Sequence, residues 1–149
     1  MFKQITAKIW RKLPWYLRAK IIRFTQAKFT VSVAAVITNA DGKILLLDHV
    51  YRPASGWGIP GGFVDFGEQP EAALRRELRE ETELELENVR LFRARILKKH
   101  VEFIFEANAN GEAKILSREI LRAEWLDFEE MPVEMSGIQK ATIKEVLGK

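Results

Sequence analysis

Three glutamates, Glu77, Glu80 and Glu81, limit what this chain can be, because they cluster on one side of a helix and two of them interrupt its apolar face. Residues 70–82 carry Pro70 at the start and then Ala72, Ala73, Leu74, Leu78, Glu and Arg. Proline suits the first helical turn, where its missing N–H would have no partner anyway, and the others are good helix formers. The composition predicts a helix from about Pro70 to Thr82. At about 100° per residue the three glutamates share an arc of roughly 100°. Glu77 and Glu81 fall between Ala73 and Leu74, within the arc that also holds Leu78 and Leu84, while Arg75 and Arg79 lie opposite. A solvated face with Arg76–Glu80 and Arg79–Glu83 ion pairs would be the ordinary reading of a Glu/Arg-rich helix. Carboxylates bordering a buried face are costly unless paired or bound to a metal. A hard divalent cation, which prefers oxygen ligands, resolves that cost.

The wider stretch supports the metal reading. A glycine pair, Gly61-Gly62, precedes the helix, and Glu68 lies between them. From Gly62 to Glu81 the spacing is G-x5-E-x7-R-E-L-x-E-E. This pattern resembles the Nudix box of hydrolases that cut diphosphate linkages attached to a nucleoside. One fixed position departs from it: Glu83 stands where the family has glycine. The resemblance implies that Glu77, Glu80 and Glu81 bind metal, with the Gly61 carbonyl and Glu68 contributing to the same network. It implies Mg²⁺ as the ion, with Mn²⁺ able to substitute. Arg76 would hold the glutamates by ion pairing. The glycines, Gly62 among them, would let the backbone pass close to metal and phosphate, where a Cβ would intrude. The general base would be Glu77, Glu80 or a glutamate from a later loop, for which Glu119 is the candidate ahead of Glu124-Trp125-Leu126. A glutamate at position 83 is expected to alter the helix cap, not the chemistry, because the family glycine ends the helix in a left-handed conformation.

The chain has 149 residues, 47% hydrophobic and 30% charged, enough for one globular domain. It has no cysteine, which excludes disulfides, thiolate metal sites and a cysteine nucleophile, and fits a cytoplasmic location. His49 and His100 are the only histidines, too few for a histidine-rich metal site. The basic start lacks the apolar run of a signal peptide, and no apolar run is long enough to cross a membrane. The net charge of +3 conceals an asymmetry. Residues 1–28 hold eight of the 24 basic residues and no acid, so the remainder has 16 basic against 21 acidic residues, a net −5.

Residues 1–28 read as a basic amphipathic helical extension. Phe2, Ile5, Ile9 and Leu13 recur at helical spacing, Pro14 breaks the run, and Leu17, Ile21, Ile22 and Phe24 continue it with Trp10, Trp15 and Tyr16. Packing on the domain or on a second subunit, in a homodimer, would cover this stripe. Contact with anionic lipid or nucleic acid is the alternative. Residues 29–149 read as the hydrolase domain. Strands are expected at 29–38, at 43–48 as its hairpin partner, and at 89–99, 101–107 and 123–127, with a terminal helix over 138–147. That order fits an α+β fold, and the resemblance implies a Nudix-type α/β/α sandwich around a mixed sheet.

The substrate is less legible than the reaction. About sixteen positions past the box, where family subgroups differ, Lys98 to Phe103 carries neither the tyrosine of the dinucleoside polyphosphate group nor the proline of the ADP-ribose group. Tyr51 and Trp57 are candidates to stack a base, and Arg52, Lys98 and Lys99 to meet phosphates. The reading is a pyrophosphohydrolase of a small nucleotide substrate, either a nucleoside-diphosphate-linked metabolite or a nucleoside triphosphate. The alternatives are an RNA 5′-end pyrophosphohydrolase and a non-catalytic nucleotide-sensing domain.

Overall fold

A computed structural model describes residues 10–52 and 55–149. Phe2, Ile5 and Ile9 of the expected stripe, and Pro53 and Ala54 of the loop before Trp57, lie outside the described residues.

Strand β1 (Thr30–Thr38) organises the sheet because both of its faces are apolar. Side chains alternate across a strand, so Val33, Ala35 and Ile37 point one way and Ala34 and Val36 the other. Strand β2 (Ile44–His49) repeats this, with Leu45 and Leu47 on the first face and Ile44 and Leu46 on the second. The sheet also contains β3 (Trp57–Gly58), β4 (Gly61–Phe63), β5 (Glu87–Leu97), β6 (His100–Asn108) and β7 (Ile120–Leu126). Its order is β3-β2-β1-β6-β5, with β4 also on β1 and β7 also on β2. The sheet is mixed: β1 and β6 run parallel from Thr30↔His100 to Thr38↔Asn108, and the other pairs are antiparallel.

Each face is closed by a helix. Helix α2 (Pro70–Thr82) lays Ala73, Leu74 and Leu78 on the first face, and α3 (Gly137–Val146) lays Ile143 on the second, beside Met131 and Met135. This is the α/β/α sandwich expected from the sequence. The hairpin expectation needs correction. β1 and β2 meet only at Thr38↔Ile44 and then diverge. Strand β4 takes the β1 edge at Ser32–Ala34, while β2 pairs with β7 from Ile44↔Leu126 to His49↔Ile120. The fork between β1 and β2 is where the glycine pair enters the sheet.

Helix α1 (Trp15–Thr25) follows Pro14, which breaks the helix as expected. It buries none of its residues. Among the described residues, the expected packing of the stripe on the domain is therefore not observed. On the helical wheel, Trp15, Ala19 and Ile22 fall on one side and Leu17, Ile21 and Phe24 on the opposite side, at about 100° per residue. The apolar residues form two arcs, so docking one of them on the domain would still leave the other uncovered.

The end of α2 shows how glutamate serves at position 83. Glu83 adopts φ 62°, the left-handed conformation, and its N–H donates to the Arg79 carbonyl at 3.0 Å. That bend removes Glu83 from Arg79, which pairs with Glu85 instead, and hands its carboxylate to Lys114 at 2.6 Å. Left-handed backbone disfavours a residue with a Cβ by about 1 kcal/mol, whereas an exposed ion pair contributes about 0–1 kcal/mol. Glu83→Gly is therefore expected to shift stability by less than about 1 kcal/mol, toward the stable side, with activity within a few-fold. Denaturant titration beside a rate assay checks this; a large loss of activity would give Glu83 a role in the site.

Candidate active site

Arg76 is the hub of the site. Its Nε and Nη2 donate to the two carboxylate oxygens of Glu68, each at 3.0 Å, and Nη2 also donates to the Phe63 carbonyl at 3.1 Å. Its Nη1 donates to Glu77 at 3.0 Å and, more weakly, to Glu80 at 3.5 Å. One guanidinium thus joins the loop after β4 to the middle of α2. The hydrogen bond to Glu68, followed by that to Glu77, holds the guanidinium well above its ordinary range. Glu68 is held below the usual carboxylate range by the same Arg76 bond and by the Asp65 N–H, which donates to it at 3.1 Å.

The three helix glutamates form a gradient of depth. Glu80 is outermost, with 62% of its side chain exposed, Glu77 is mostly covered at 20%, and Glu81 is buried at 8% as a residue. The side chains flanking the apolar arc are thus the sheltered ones, as the helical wheel requires. Glu81 Oε2 is buried without a hydrogen-bond partner among the described residues. Burial, then the charges of Glu77, Glu119 and Glu80, push its carboxyl up to about 8, against the opposing pull of Arg52. As placed, Glu77 and Glu80 turn toward Arg76, and no three His, Asp or Glu groups are gathered tightly enough to hold a metal among the described residues. The donor set still suits a hard cation: it is all carboxylate, and one buried oxygen lacks any partner.

Both glycines stand at close contacts. A Cβ on Gly61 would lie 2.2 Å from the Val33 carbonyl oxygen, so β4 could not approach β1. A Cβ on Gly62 would lie 2.2 Å from the Glu77 carboxyl carbon. The pair therefore serves the sheet on one side and the Glu77 carboxylate on the other.

The loop bearing Glu119 is fastened to the end of α2. Its Lys114 N–H donates to the Thr82 carbonyl at 3.0 Å and its Leu116 N–H to the Glu81 carbonyl at 3.1 Å. These bonds satisfy helix-end carbonyls that have no partner within the helix. The Val50 N–H donates to the Glu119 carbonyl at 2.8 Å, and Ser117 Oγ accepts the Glu119 N–H at 3.1 Å. The Glu119 side chain is exposed and close enough to raise the Glu81 proton affinity.

Beside the glycines lies a cleft of about 220 Å³. Arg52 reaches into it, with Nη2 donating to the Ile59 carbonyl at 3.0 Å and Nη1 buried without a partner. Burial lowers the Arg52 proton affinity, while Glu81 and Glu102 oppose that. Ser32, Arg95, Glu102 and Gln139 also line it. Gln139 Oε1 accepts the Ile59 N–H at 3.1 Å. These four were not legible from local sequence. Ser32 faces Glu102 only through the parallel β1–β6 register, and Gln139 arrives from α3 at the far end of the chain.

Of the substrate candidates, only Arg52 lines this cleft. Trp57 is 5% exposed, packs in the second core and has the Arg122 guanidinium 4.6 Å above its ring, so it is covered on the face a base would need. Tyr51 is 77% exposed on the loop after β2. Lys98 sits in the β5–β6 turn with φ 58°. Neither lines the cleft.

Comparison with known proteins agrees with this geometry. The sequence profile of the NUDIX domain matches residues 28–146. A MutT-like protein from Streptomyces ambofaciens is 27% identical over 121 residues, 79% of this chain and 77% of the relative. An RNA pyrophosphohydrolase from Acinetobacter baylyi is 40% identical over 63 residues, and the NAD-capped RNA hydrolase NudC of Vibrio atlanticus is 30% identical over 100 residues. Those two matches cover 42% and 65% of this chain but only 37% of each relative. The crystal structure of a MutT NUDIX hydrolase from Burkholderia pseudomallei superposes with a TM-score of 0.69 at 27% identity, covering 80% of this chain and 98% of that one.

Two expectations follow from the geometry. Gly62→Ala should fold nearly as well as the parent, because the flexible Glu77 carboxyl can move, but it should lose activity because Glu77 is displaced. Gly61→Ala meets backbone and should be destabilised by more than about 1 kcal/mol. Paired melting and rate measurements separate the two. The Glu81 carboxyl binds its proton more tightly folded than unfolded, so its contribution to stability is present at acid pH and is lost as pH rises toward 8. Metal-free Glu81→Gln should flatten this decline and melt higher than the parent above pH 8, read from melting temperatures across pH 5–9.

The box spacing, the buried glutamate, the glycine contacts and the matched profile agree: the chain belongs to the NUDIX domain family and is a Nudix pyrophosphohydrolase.

Proposed function

We propose that the chain hydrolyses the diphosphate linkage of a nucleoside-diphosphate-linked metabolite or a nucleoside triphosphate, using a divalent cation. The observation that carries this reading is Glu81, a buried carboxylate with an unpartnered oxygen beside Glu77, next to a cleft entered by a buried arginine. Glu77, Glu80 and Glu81 would hold Mg²⁺ or Mn²⁺, with the Gly61 carbonyl and Glu68 in support. The bound cation would neutralise the diphosphate and activate a water for attack on phosphorus.

The protein's own groups do the rest. Arg76 keeps Glu68 and Glu77 aligned and releases Glu80 most easily, because that contact is its longest. Glu81 gives up its proton when positive charge replaces solvent exclusion as the dominant influence on it. Arg52 offers an unused N–H to a phosphate or ribose oxygen, a charge-assisted bond that repays its burial. Among the described residues Glu119 has no ion-pair partner, so it is the freest of the three base candidates to accept a proton from water.

A second reading, action on RNA 5′ ends, draws support from the relatives named for RNA chemistry and from the basic residues preceding β1. Tyr51 and Lys98, exposed at the ends of their strands, would then serve a longer substrate.

Screening nucleotide sugars, ADP-ribose, dinucleoside polyphosphates, nucleoside triphosphates and 5′-triphosphorylated RNA with Mg²⁺ and Mn²⁺ tests both readings. Glu80→Gln and Glu81→Gln should each lower kcat on the best substrate by at least about 10²-fold. Full turnover after chelation, or wild-type rates in both variants, would remove the metal from the proposal.

A further inference from the structure

Ile59 and Pro60 lie between β3 and β4, outside both strands, so their backbone groups need partners from elsewhere. The Pro60 carbonyl accepts the Ala35 N–H at 3.0 Å, and the other partners are side chains. The Ile59 N–H donates to Gln139 Oε1 at 3.1 Å, and the Ile59 carbonyl accepts from Arg52 Nη2 at 3.0 Å. Gly58 makes room for both, because a Cβ there would collide with Arg52 Nη1 and Gln139 Oε1. These bonds fix what each side chain can still do. Only the oxygen of a carboxamide can accept the Ile59 N–H, so Gln139 has one orientation and its NH2 group is left to donate. Arg52 has its buried Nη1 left, also a donor. Glu102 lines the same cleft from β6 and can only accept. Arg95 Nε donates to its Oε2 at 2.5 Å, and Oε1 has no partner among the described residues.

We propose that Gln139, Arg52 and Glu102 read the 2′,3′-diol of a ribose, so that the substrates are ribonucleotides and not deoxyribonucleotides. This rests on the hydrolase reading above and narrows its substrate class. A hydroxyl is the group that serves donor-only and acceptor-only partners at one atom: its oxygen accepts from the amide or guanidinium, and its proton goes to the carboxylate. Two neighbouring hydroxyls use both donors. The lining disfavours a base in the same space. A base has flat faces to stack, and the one aromatic ring lining the cleft, Phe63, is 64% exposed and T-shaped to His100, while Ala34, Ile59 and Ile104 are aliphatic. The cleft also adjoins Gly61 and Gly62. A ribose is one methylene from its 5′-phosphate, so a diol held in the cleft leaves the diphosphate beside the glycine pair and the glutamates.

The test is calorimetric binding of AMP, GMP and ribose 5-phosphate, each against its 2′-deoxy form, to the full chain with Mg²⁺. None of these ligands has a diphosphate bond to cut, so the readout does not need turnover. AMP and GMP should each bind at least about tenfold tighter than the deoxy form, because the missing hydroxyl leaves site groups unpaired. Gln139→Glu keeps an acceptor for the Ile59 N–H and loses the donor, and Gly58→Ala displaces the flexible ends of Arg52 and Gln139. Each should bring that ratio within about twofold, with little change in melting temperature. The ratio is what counts, since a new carboxylate repels the phosphate of both forms alike. A preference confined to ribose 5-phosphate would support the proposal and assign the diol to a sugar distal to the base. Equal binding in all three pairs, no binding in any, or a parent-like ratio in both variants would overturn it. A ribose preference in a chain that turns over no diphosphate would remove the hydrolase reading and leave the diol, whereas equal turnover of ribo- and deoxyribonucleotides would do the reverse.

Discussion

One guanidinium determines whether the site exists. Arg76 binds Glu68 through two parallel bonds, Glu77 through a third and the Phe63 carbonyl through a fourth. Without it, the loop from Val64 to Gln69 would have no charged tie to α2, and several carboxylates would face one another uncompensated. Its partners are less than a third exposed apart from Glu80, so these pairs escape much of the screening that weakens surface salt bridges. The geometry is also selective. A lysine could supply the charge but not the fork that reaches both oxygens of Glu68 while touching Glu77.

The sheet supplies the second condition, a fork. Because β1 and β2 part after a single paired position, β4 can lie against β1 and bring Gly61 and Gly62 under α2. The same separation opens the cleft that Arg52 enters from the β2 side and Ser32 lines from the β1 side. The carboxylates of α2 and the cleft beside them thus share one cause: a strand pairing that stops early.

What could be read from sequence follows the range of the interactions involved. The box helix was legible to its ends from Pro70 and the run of good helix formers to Thr82, whereas the altered cap expected at Glu83 is not seen, because that residue takes the left-handed conformation itself. The depth of Glu81 was legible from helical periodicity, since the arc it shares with Leu74 and Leu78 is fixed by the helix alone. The pairing of β1 with β6 was not, because it joins residues some 70 positions apart and local alternation gives no register. Ser32 and Glu102 stayed hidden for that reason. Trp57 misled because an aromatic beside a glycine loop looks the same from sequence whether it stacks on a ligand or on Arg122. Among the described residues, the stripe expected after Pro14 divides because Ile22 falls on the side of the helix opposite Leu17, Ile21 and Phe24.

The two hydrogen bonds donated by the Lys114 and Leu116 N–H groups to the end of α2 have a kinetic consequence. They tie the last turn of the box helix to the loop leading to Glu119, so the two should open as one unit in native-state hydrogen exchange. Glu81 and Glu119 therefore come from separate parts of the chain yet share one fluctuation. An opening of that unit would take from the site its deepest carboxylate and an exposed one together, and its closure would return both in register.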